Sequence, residues 1–202
     1  YGAFAPWLCG VESFVRYGRF DLEGWCRSIE SHQVSVWYSA PTVFRRLMAK
    51  GELVLKRYDM SSLRHLVSVG EPLSSEVIYW ARRVFKIPIH DTWWMTETGM
   101  ILIANYPGMP IKPGSIGKPF PGTKVAVLGA EDEEAPPLTL GELVIQKGWP
   151  AMMTQVWQDE VRFREYFKND SWFITGDMVY VDDDGYFYYQ GRSDDLIKVA
   201  GV

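Results

Sequence analysis

The sequence predicts an α/β fold, in which part of a parallel-sheet α/β subdomain is followed by a small antiparallel β-barrel subdomain. Up to about residue 110, segments with a helical spacing of apolar residues alternate with short apolar runs of the kind that form buried strands. Such alternation is typical of a parallel sheet with right-handed crossovers. Beyond that point, turns containing Gly and Pro separate short segments rich in residues that suit a pleated surface. We therefore expect subdomains at 1–110 and 111–192.

Helices are predicted in the first subdomain from apolar spacing and from the residues at their ends. The first begins after Asp21, a residue type that often caps helices. The second has Pro41 in its first turn, where proline is favoured, and ends at Gly51. The third is capped by Ser74 or Ser75 and has a continuous apolar face.

The strands predicted around these helices are short. In the first subdomain they lie at 13–17, 34–38, 63–69 and 87–92, and in the second at 123–128, 142–147, 172–175, 178–181 and 186–190, with a helix at about 159–167. The loops after Val69 and Thr92 follow strands of a parallel sheet, so both open on the edge where such sheets bind ligands. This arrangement predicts that Glu71 and Glu97 lie near a common cleft.

Composition and charge exclude several classes of function. The net charge is -4 and the acidic and basic residues are interspersed, so we expect no nucleic-acid partner. Cys9 and Cys26 lack the spacing of metal ligands, which argues against a zinc site and favours reduced thiols in a cytoplasmic protein. No apolar run approaches the roughly 18 residues that a membrane span needs, so we expect a soluble protein with no membrane partner.

The two ends of the sequence indicate an excerpt of a longer enzyme. The first residue is Tyr1 rather than Met, and it leads directly into an apolar stretch. The last residue, Val202, follows a motif without a terminating signal.

The stretch 90–99 carries the most chemistry in the sequence. It contains two adjacent indoles, three threonines and two carboxylates where a predicted buried strand ends and opens into a loop. The indoles offer flat apolar walls, and the hydroxyls of Thr96 and Thr98 can donate to phosphate oxygens. Glu97 is a hard oxygen ligand of the kind that Mg²⁺ takes beside a nucleotide. The residues alone equally allow a core tryptophan pair followed by a polar turn.

Other candidate binding residues each have a structural alternative. Gly70-Glu71-Pro72 can lie flat against a planar ring or can simply form a strand-to-helix turn. Asp177 can accept hydrogen bonds from both ribose hydroxyls, as acidic residues of dinucleotide sites do, or can be a surface or turn aspartate. Arg192 offers a planar fork of donors to ribose or phosphate, or forms a surface ion pair with Asp194 or Asp195.

Four motifs, taken in order, resemble those of a known family. The run Asp91-Thr92-Trp93-Trp94-Met95-Thr96-Glu97-Thr98-Gly99 is similar to the Thr-Glu motif of the acyl-adenylate-forming superfamily, in the form carried by AMP-forming acetyl-coenzyme A synthetases. The other three matches are Val69-Gly70-Glu71-Pro72, Thr175-Gly176-Asp177 and Gly191-Arg192-Ser193-Asp194-Asp195. With general similarity over nearly the whole chain, they identify it as a fragment of the large N-terminal domain of such an enzyme.

The resemblance implies an activity and the residues that serve it. Acetate would attack MgATP to give acetyl-AMP and pyrophosphate, and coenzyme A would then take the acetyl group as co-substrate. Thr96 and Glu97 would be the catalytic residues, with Glu97 holding Mg²⁺. The residues that would contact ATP or AMP are Gly70, Glu71, Pro72, Asp91, Thr92, Trp93, Trp94, Met95, Thr96, Asp177 and Arg192.

The resemblance also implies a short acyl pocket and a hinge. Val69 and Trp94 would form the pocket, and Asp194 would be the hinge within 193–202, where a C-terminal domain begins. The phosphate loop and the catalytic lysine of the family would lie outside the 202 residues, so we expect the fragment alone to be inactive. Alternatives are a propionyl- or medium-chain acyl-coenzyme A synthetase, a peptide-synthetase adenylation domain, or a non-catalytic binding module.

Overall fold

The computed structural model describes residues 4–193 and divides into two compact units. The first unit ends at His90 and the second begins at Asp91. The division near residue 110 that composition suggests stays a prediction. The predicted hinge residue Asp194 lies outside the described residues. No helix in the described part of the chain is long and apolar enough to cross a membrane.

The first unit alternates helices and strands, as its apolar spacing predicts. Its elements are α1 (Phe4–Leu8), α2 (Leu22–His32), β1 (Val36–Ser39), α3 (Pro41–Lys50), α4 (Glu52–Leu55), β2 (His65–Ser68), α5 (Ser75–Phe85) and the start of β3 (Ile89–Trp93). β1 and β2 pair in parallel, with Val36 opposite His65 and Ser39 opposite Ser68. This pairing confirms the parallel α/β character expected for this part of the chain.

The predicted helix starts are right, although their caps differ from the expected form. α2 follows Asp21 and α5 follows Ser74, but neither side chain makes a capping hydrogen bond. The Asp21 carboxylate instead pairs with Arg16 and Arg27, at 3.2 and 3.6 Å. α3 ends at Gly51, whose φ of 85° suits glycine.

The strand predicted at 13–17 is wrong, because these residues form no regular secondary structure. The Arg16 guanidinium anchors this stretch to α2 by donating to the Gly24 carbonyl oxygen at 2.6 Å. The Phe14 ring stacks on the His32 ring at the end of the same helix, with 4.2 Å between centroids. These residues therefore make side-chain contacts with a helix instead of pairing with a strand.

The second unit is mainly antiparallel. Besides the end of β3 it contains a 3-10 turn (Thr96–Thr98), β4 (Ile103–Ala104), β5 (Lys118–Pro119), β6 (Val125–Leu128), β7 (Gly141–Gln146), α6 (Glu160–Glu165), β8 (Phe167–Lys168), β9 (Trp172–Val181) and β10 (Phe187–Arg192). β3 pairs with β4 and β4 with β5. A second sheet has the order β10-β9-β7-β6, with β8 paired to β9.

This second sheet confirms the antiparallel half of the predicted fold and corrects two details. The strands expected at 172–175 and 178–181 form one continuous strand, β9, which passes through Gly176 at φ 72°. β6 and β10 lie at the two ends of the strand order of this sheet, so within residues 4–193 it is an open antiparallel sheet and not a closed barrel.

Each unit has its own apolar core. In the first unit the core joins the inward faces of α2, α3 and α5, and its fully buried side chains include Cys26, Ile29, Phe44, Leu47, Leu66, Val77, Ile78 and Ile89. In the second unit the corresponding side chains include Leu102, Ile103, Leu143, Ile145, Phe173 and Val179. The candidate binding residues lie on strands and turns that these cores hold in place.

Candidate functional site

The Thr-Glu motif begins inside a buried strand and ends in an accessible turn. Asp91, Thr92 and Trp93 are buried in β3, and Trp94 and Met95, which follow them, are half-buried. The 3-10 turn then exposes the Thr96 side chain and leaves Glu97 half-buried. The motif therefore presents a hydroxyl and a carboxylate at the end of a rigid strand.

The turn is closed by its own third residue. The Thr98 hydroxyl donates to the Met95 carbonyl oxygen at 3.0 Å and accepts from the Met95 backbone N–H at 3.1 Å. Since the Thr98 hydroxyl hydrogen is used inside the turn, Thr96 is the threonine of this turn whose hydroxyl can donate to a ligand.

The buried Asp177 carboxylate links two other predicted site residues, Trp93 and Arg192. Asp177, on β9, accepts a hydrogen bond from Trp93 Nε1 on Oδ2 at 2.7 Å and from Arg192 Nη1 on Oδ1 at 3.2 Å. The Asp177 side chain is only 9% exposed, which rules out the surface aspartate considered above. Arg192 also donates to the Thr175 carbonyl oxygen at 2.9 Å, so both of these partners lie on β9.

Hydrogen bonds also hold the strand that carries this carboxylate. Trp93 and Arg192 each bind one of the two Asp177 oxygens. The Thr175 hydroxyl accepts from the Asp177 backbone N–H at 3.0 Å and donates to the Leu143 carbonyl oxygen at 2.7 Å. Asp177 is therefore positioned by its backbone as well as by its side-chain partners.

The Val69–Pro72 loop follows β2 in the first unit, and its carboxylate is bound by α3. Glu71 Oε2 accepts hydrogen bonds of 2.5 Å from both the Thr42 hydroxyl and Arg45 Nη2. The Thr42 hydrogen bond, followed by the Arg45 interaction, holds the pKa of Glu71 below its usual value. Gly70 is exposed with φ 85°, so the loop backbone is accessible at this residue.

Sequence reasoning missed Thr42 and Arg45. The signal was available, because α3 begins directly after β1, and β1 and β2 run parallel, so the loops at their carboxyl ends share one edge. Within the second unit, the structure brings together Asp91 to Glu97, Asp177 and Arg192. The common cleft expected for Glu71 and Glu97, and the pocket expected between Val69 and Trp94, stay predictions.

Glu97 is the residue of this turn whose side chain could hold a metal ion. Among residues 4–193, no group of three or more His, Cys, Asp or Glu side chains is placed to hold a metal ion. Mg²⁺ commonly binds through one or two carboxylates together with substrate phosphates and water. A half-buried Glu97 beside an exposed Thr96 hydroxyl matches that pattern.

The fold and these motifs define the class of protein to which the chain belongs. The family model described as "AMP-binding enzyme" matches residues 1–157, and the chain belongs to this family. It is 52% identical over 201 residues to an acetyl-coenzyme A synthetase of Bacillus subtilis, covering 100% of this chain and 35% of that protein. It is 46% identical over 198 residues to an acetyl-coenzyme A synthetase of Caulobacter vibrioides, covering 95% of this chain and 30% of that protein.

A solved structure supports the same assignment. The anthranilate CoA ligase AuaEII in complex with anthranoyl-AMP aligns with 99% of this chain and 38% of its own, with a TM-score of 0.88 and 30% sequence identity. The chain spans about a third of the length of the curated relatives it matches. The expected fold class of an adenylate-forming N-terminal domain is thereby confirmed.

Proposed function

We propose that the protein containing this chain is an AMP-forming acetate:coenzyme A ligase that acts in the cytoplasm. The observation that carries the proposal is the network of Trp93, Asp177 and Arg192 in the same unit as the Thr96–Glu97 turn. Ribose and phosphate are the groups that a fixed carboxylate, a guanidinium and an exposed hydroxyl recognise together. The similarity to acetyl-coenzyme A synthetases supports acetate as the acid.

The proposed reaction has two steps. In the first, an acetate oxygen attacks the α-phosphorus of ATP, the bond to pyrophosphate breaks, and acetyl-AMP forms. In the second, the thiol of coenzyme A loses its proton, its sulfur attacks the acetyl carbonyl carbon, and AMP leaves. Charge builds on the phosphate oxygens in the first step, so positioned donors and cations accelerate it.

Each residue of the site has a role in this proposal. Asp177 accepts the ribose hydroxyls, and Arg192 both holds Asp177 and donates to ribose or phosphate. The Thr96 hydroxyl donates to a phosphate oxygen. Glu97 binds Mg²⁺, which when bound neutralises phosphate charge. The remaining residues of the Thr-Glu motif and the Gly70-Glu71-Pro72 loop contact the nucleotide, and Val69 and Trp94 limit the acyl pocket.

Another acyl-adenylating activity is the alternative that one observation favours. The structure that matches this chain at a TM-score of 0.88 is named for anthranilate, an aromatic acid much larger than acetate. The same fold therefore supports acids of very different size, and acid preference has to be measured directly.

The test uses the full-length protein with ATP, Mg²⁺ and a panel of acetate, propionate, butyrate, hexanoate and anthranilate. We expect pyrophosphate release that depends on acid and is highest with acetate, followed by acetyl-coenzyme A when coenzyme A is added. If pyrophosphate release is highest with a larger acid, that acid and not acetate is the substrate. Absence of acid-dependent release with every acid in the panel would overturn the proposal.

A further inference from the structure

A segment that no motif includes contacts the Thr-Glu turn directly. This segment, Trp149 to Met153, follows β7, and we name it the bracing segment. Trp149 Nε1 donates to the Thr98 carbonyl oxygen at 3.1 Å. The Met153 backbone N–H donates to the Glu97 carbonyl oxygen at 2.7 Å. Two consecutive carbonyl groups of the turn thus bind donors that are more than fifty residues away in the chain.

These two contacts bring donors from outside the turn to its last two carbonyl groups. The turn has only three residues, so no following helical turn donates to these groups. The Thr98 carbonyl oxygen also accepts from the Met100 backbone N–H at 2.8 Å, and the Trp149 indole is its second donor. At the start of the turn, the Thr98 hydroxyl forms hydrogen bonds with the backbone N–H and the carbonyl oxygen of Met95. The backbone of Glu97 is therefore held on both sides, which limits the directions in which its carboxylate can point.

Close packing adds a third constraint. Gly99 ends the turn with φ 70°, and a Cβ atom there would lie 2.5 Å from the carbonyl oxygen of Ala151. The bracing segment is itself folded back, since the Met152 backbone N–H donates to the Trp149 carbonyl oxygen at 3.0 Å. Its Met152 side chain is buried in the core of the second unit. The brace is therefore anchored and close enough to leave room only for glycine at residue 99.

We propose that Trp149 is a positioning residue for Glu97 and Thr96, which acts through the hydrogen bond of its indole to the Thr98 carbonyl. The inference rests on the proposed function and adds a residue to it. Trp149 touches the backbone of the turn and not the reacting atoms, so its effect is on where the Glu97 carboxylate and the Thr96 hydroxyl point. A misplacement of about 1 Å in such groups can lower a rate on the order of a hundredfold.

The inference predicts a difference between the two half-reactions. Pyrophosphate formation needs Glu97 and Thr96 at the phosphates, whereas transfer of the acetyl group from acetyl-AMP to coenzyme A takes place after pyrophosphate has left. A tryptophan that serves only the core would lower both half-reactions together, because it would reduce the amount of folded protein.

The experiment uses the full-length protein and the variant Trp149→Phe, which keeps an aromatic ring and removes the N–H donor. Trp157→Phe is the matched control, because Trp157 is 78% exposed in the same unit. Acetate-dependent pyrophosphate release and coenzyme A acetylation from supplied acetyl-AMP are measured separately. ATP binding is measured by calorimetry with Mg²⁺ and with EDTA, which reports on the turn without turnover.

We expect Trp149→Phe to lower pyrophosphate release about 10- to 100-fold, to change acetyl transfer less than about threefold, and to lose most of the Mg²⁺-dependent gain in ATP affinity. Trp157→Phe should match the wild type in all three. If Trp149→Phe does not fold, benzothienylalanine at position 149, which keeps the ring size without the N–H, decides the question. Equal losses in both half-reactions of Trp149→Phe, or no loss in either, would overturn the inference. If the wild-type protein itself shows no acid-dependent release of pyrophosphate, the proposed function is overturned instead.

Discussion

At the scale of single residues, one carboxylate accounts for most of the organisation of the candidate site. Asp177 binds an indole N–H on one oxygen and a guanidinium on the other, while its side chain is almost fully buried. A buried charge is stable only when its hydrogen bonds and its counter-charge are in place. The same pair therefore contributes to folding and fixes the position of the carboxylate.

Replacing this carboxylate should damage binding and stability together. In Asp177→Asn the Arg192 guanidinium loses its counter-charge and the Trp93 N–H faces a weaker acceptor, so we expect unfolding to become easier by about 1–3 kcal/mol. ATP affinity should fall at least about tenfold, since the loss of a charged hydrogen bond is worth roughly that factor. Urea unfolding and ATP calorimetry of the full-length protein measure both.

Asp170→Asn provides the matched control. The Asp170 side chain is 86% exposed and pairs with Lys147, so its loss should change neither quantity by more than about 0.5 kcal/mol. If both variants bind ATP as the wild type does, Asp177 is not part of the nucleotide site.

A second residue-scale prediction concerns the length of the acid. In the proposed site Trp94 fills the acyl pocket, so Trp94→Gly should shift preference from acetate towards acids of about four to six carbons. Each added methylene gains only about 0.8 kcal/mol by burial, while overpacking a filled pocket costs about 1–3 kcal/mol, so steric exclusion dominates in the wild type. The measurement is relative kcat/KM on straight-chain acids. A folded variant that still prefers acetate by the original margin would remove Trp94 from the pocket.

At the scale of elements, a close approach of two backbones sets the geometry around β4. Gly117 has φ 100°, and a Cβ atom there would overlap the backbone carbonyl group of Ala104 on β4. Its carbonyl oxygen also accepts from the Phe187 backbone N–H on β10 at 2.9 Å. Because residue 117 has no side chain, the segment before β5 can contact both β4 and β10.

This close approach gives a matched pair of glycine variants. Gly117→Ala and Gly114→Ala both place a side chain at positive φ, which costs about 1–3 kcal/mol each. Only Gly117→Ala adds a backbone clash, since nothing lies within 4 Å of a Cβ atom at Gly114. We expect Gly117→Ala to be the more destabilising by at least about 1 kcal/mol in urea unfolding. Equal effects of the two variants would mean that β4 can move away from residue 117 without a loss of folding stability.

The sequence predicted those elements whose ends depend on local chemistry. α3 lies between Pro41 and Gly51 as expected, because each residue favours its backbone conformation without help from tertiary contacts. The stretch 13–17 was mispredicted, since its residue types suit a strand but Arg16 binds the Gly24 carbonyl of a helix. Residue types indicate how well a segment fits a strand and not what its side chains pack against.

The candidate site was predictable as a set of residues but not as a network. The hydrogen bond between Trp93 and Asp177 joins residues 84 positions apart, and the partner of Arg192 depends on the register of β9 and β10. Trp149 carries no local signal, because a half-buried tryptophan after a strand usually serves the core. Motif chemistry therefore identifies the groups, and tertiary packing decides which of them act together.

At the scale of the whole molecule, the pH dependence of folding stability depends on ionisable groups whose pKa differs between the folded and the unfolded chain. In the first unit the half-buried ring of His65 lies 4.4 Å from the ring of His90. Burial first, and then His90 and Arg64, lower the pKa of His65 below its usual value of 6.5. Because folding stability is a small difference between large terms, one such group can change it measurably.

The sign of this effect follows from proton binding. Below pH 6.5 the unfolded chain takes up a proton on His65 that the folded chain binds less well, so stability is complete above pH 6.5 and falls as the pH decreases towards the lower folded pKa. His65→Phe keeps a ring against His90 and cannot be protonated. We expect the melting temperature of the full-length wild type to fall by up to a few degrees more than that of His65→Phe between pH 7.5 and pH 5.5. His32→Gln, at an exposed histidine, should follow the wild type, and parallel curves for all three proteins would show that His65 protonates equally well in the folded chain.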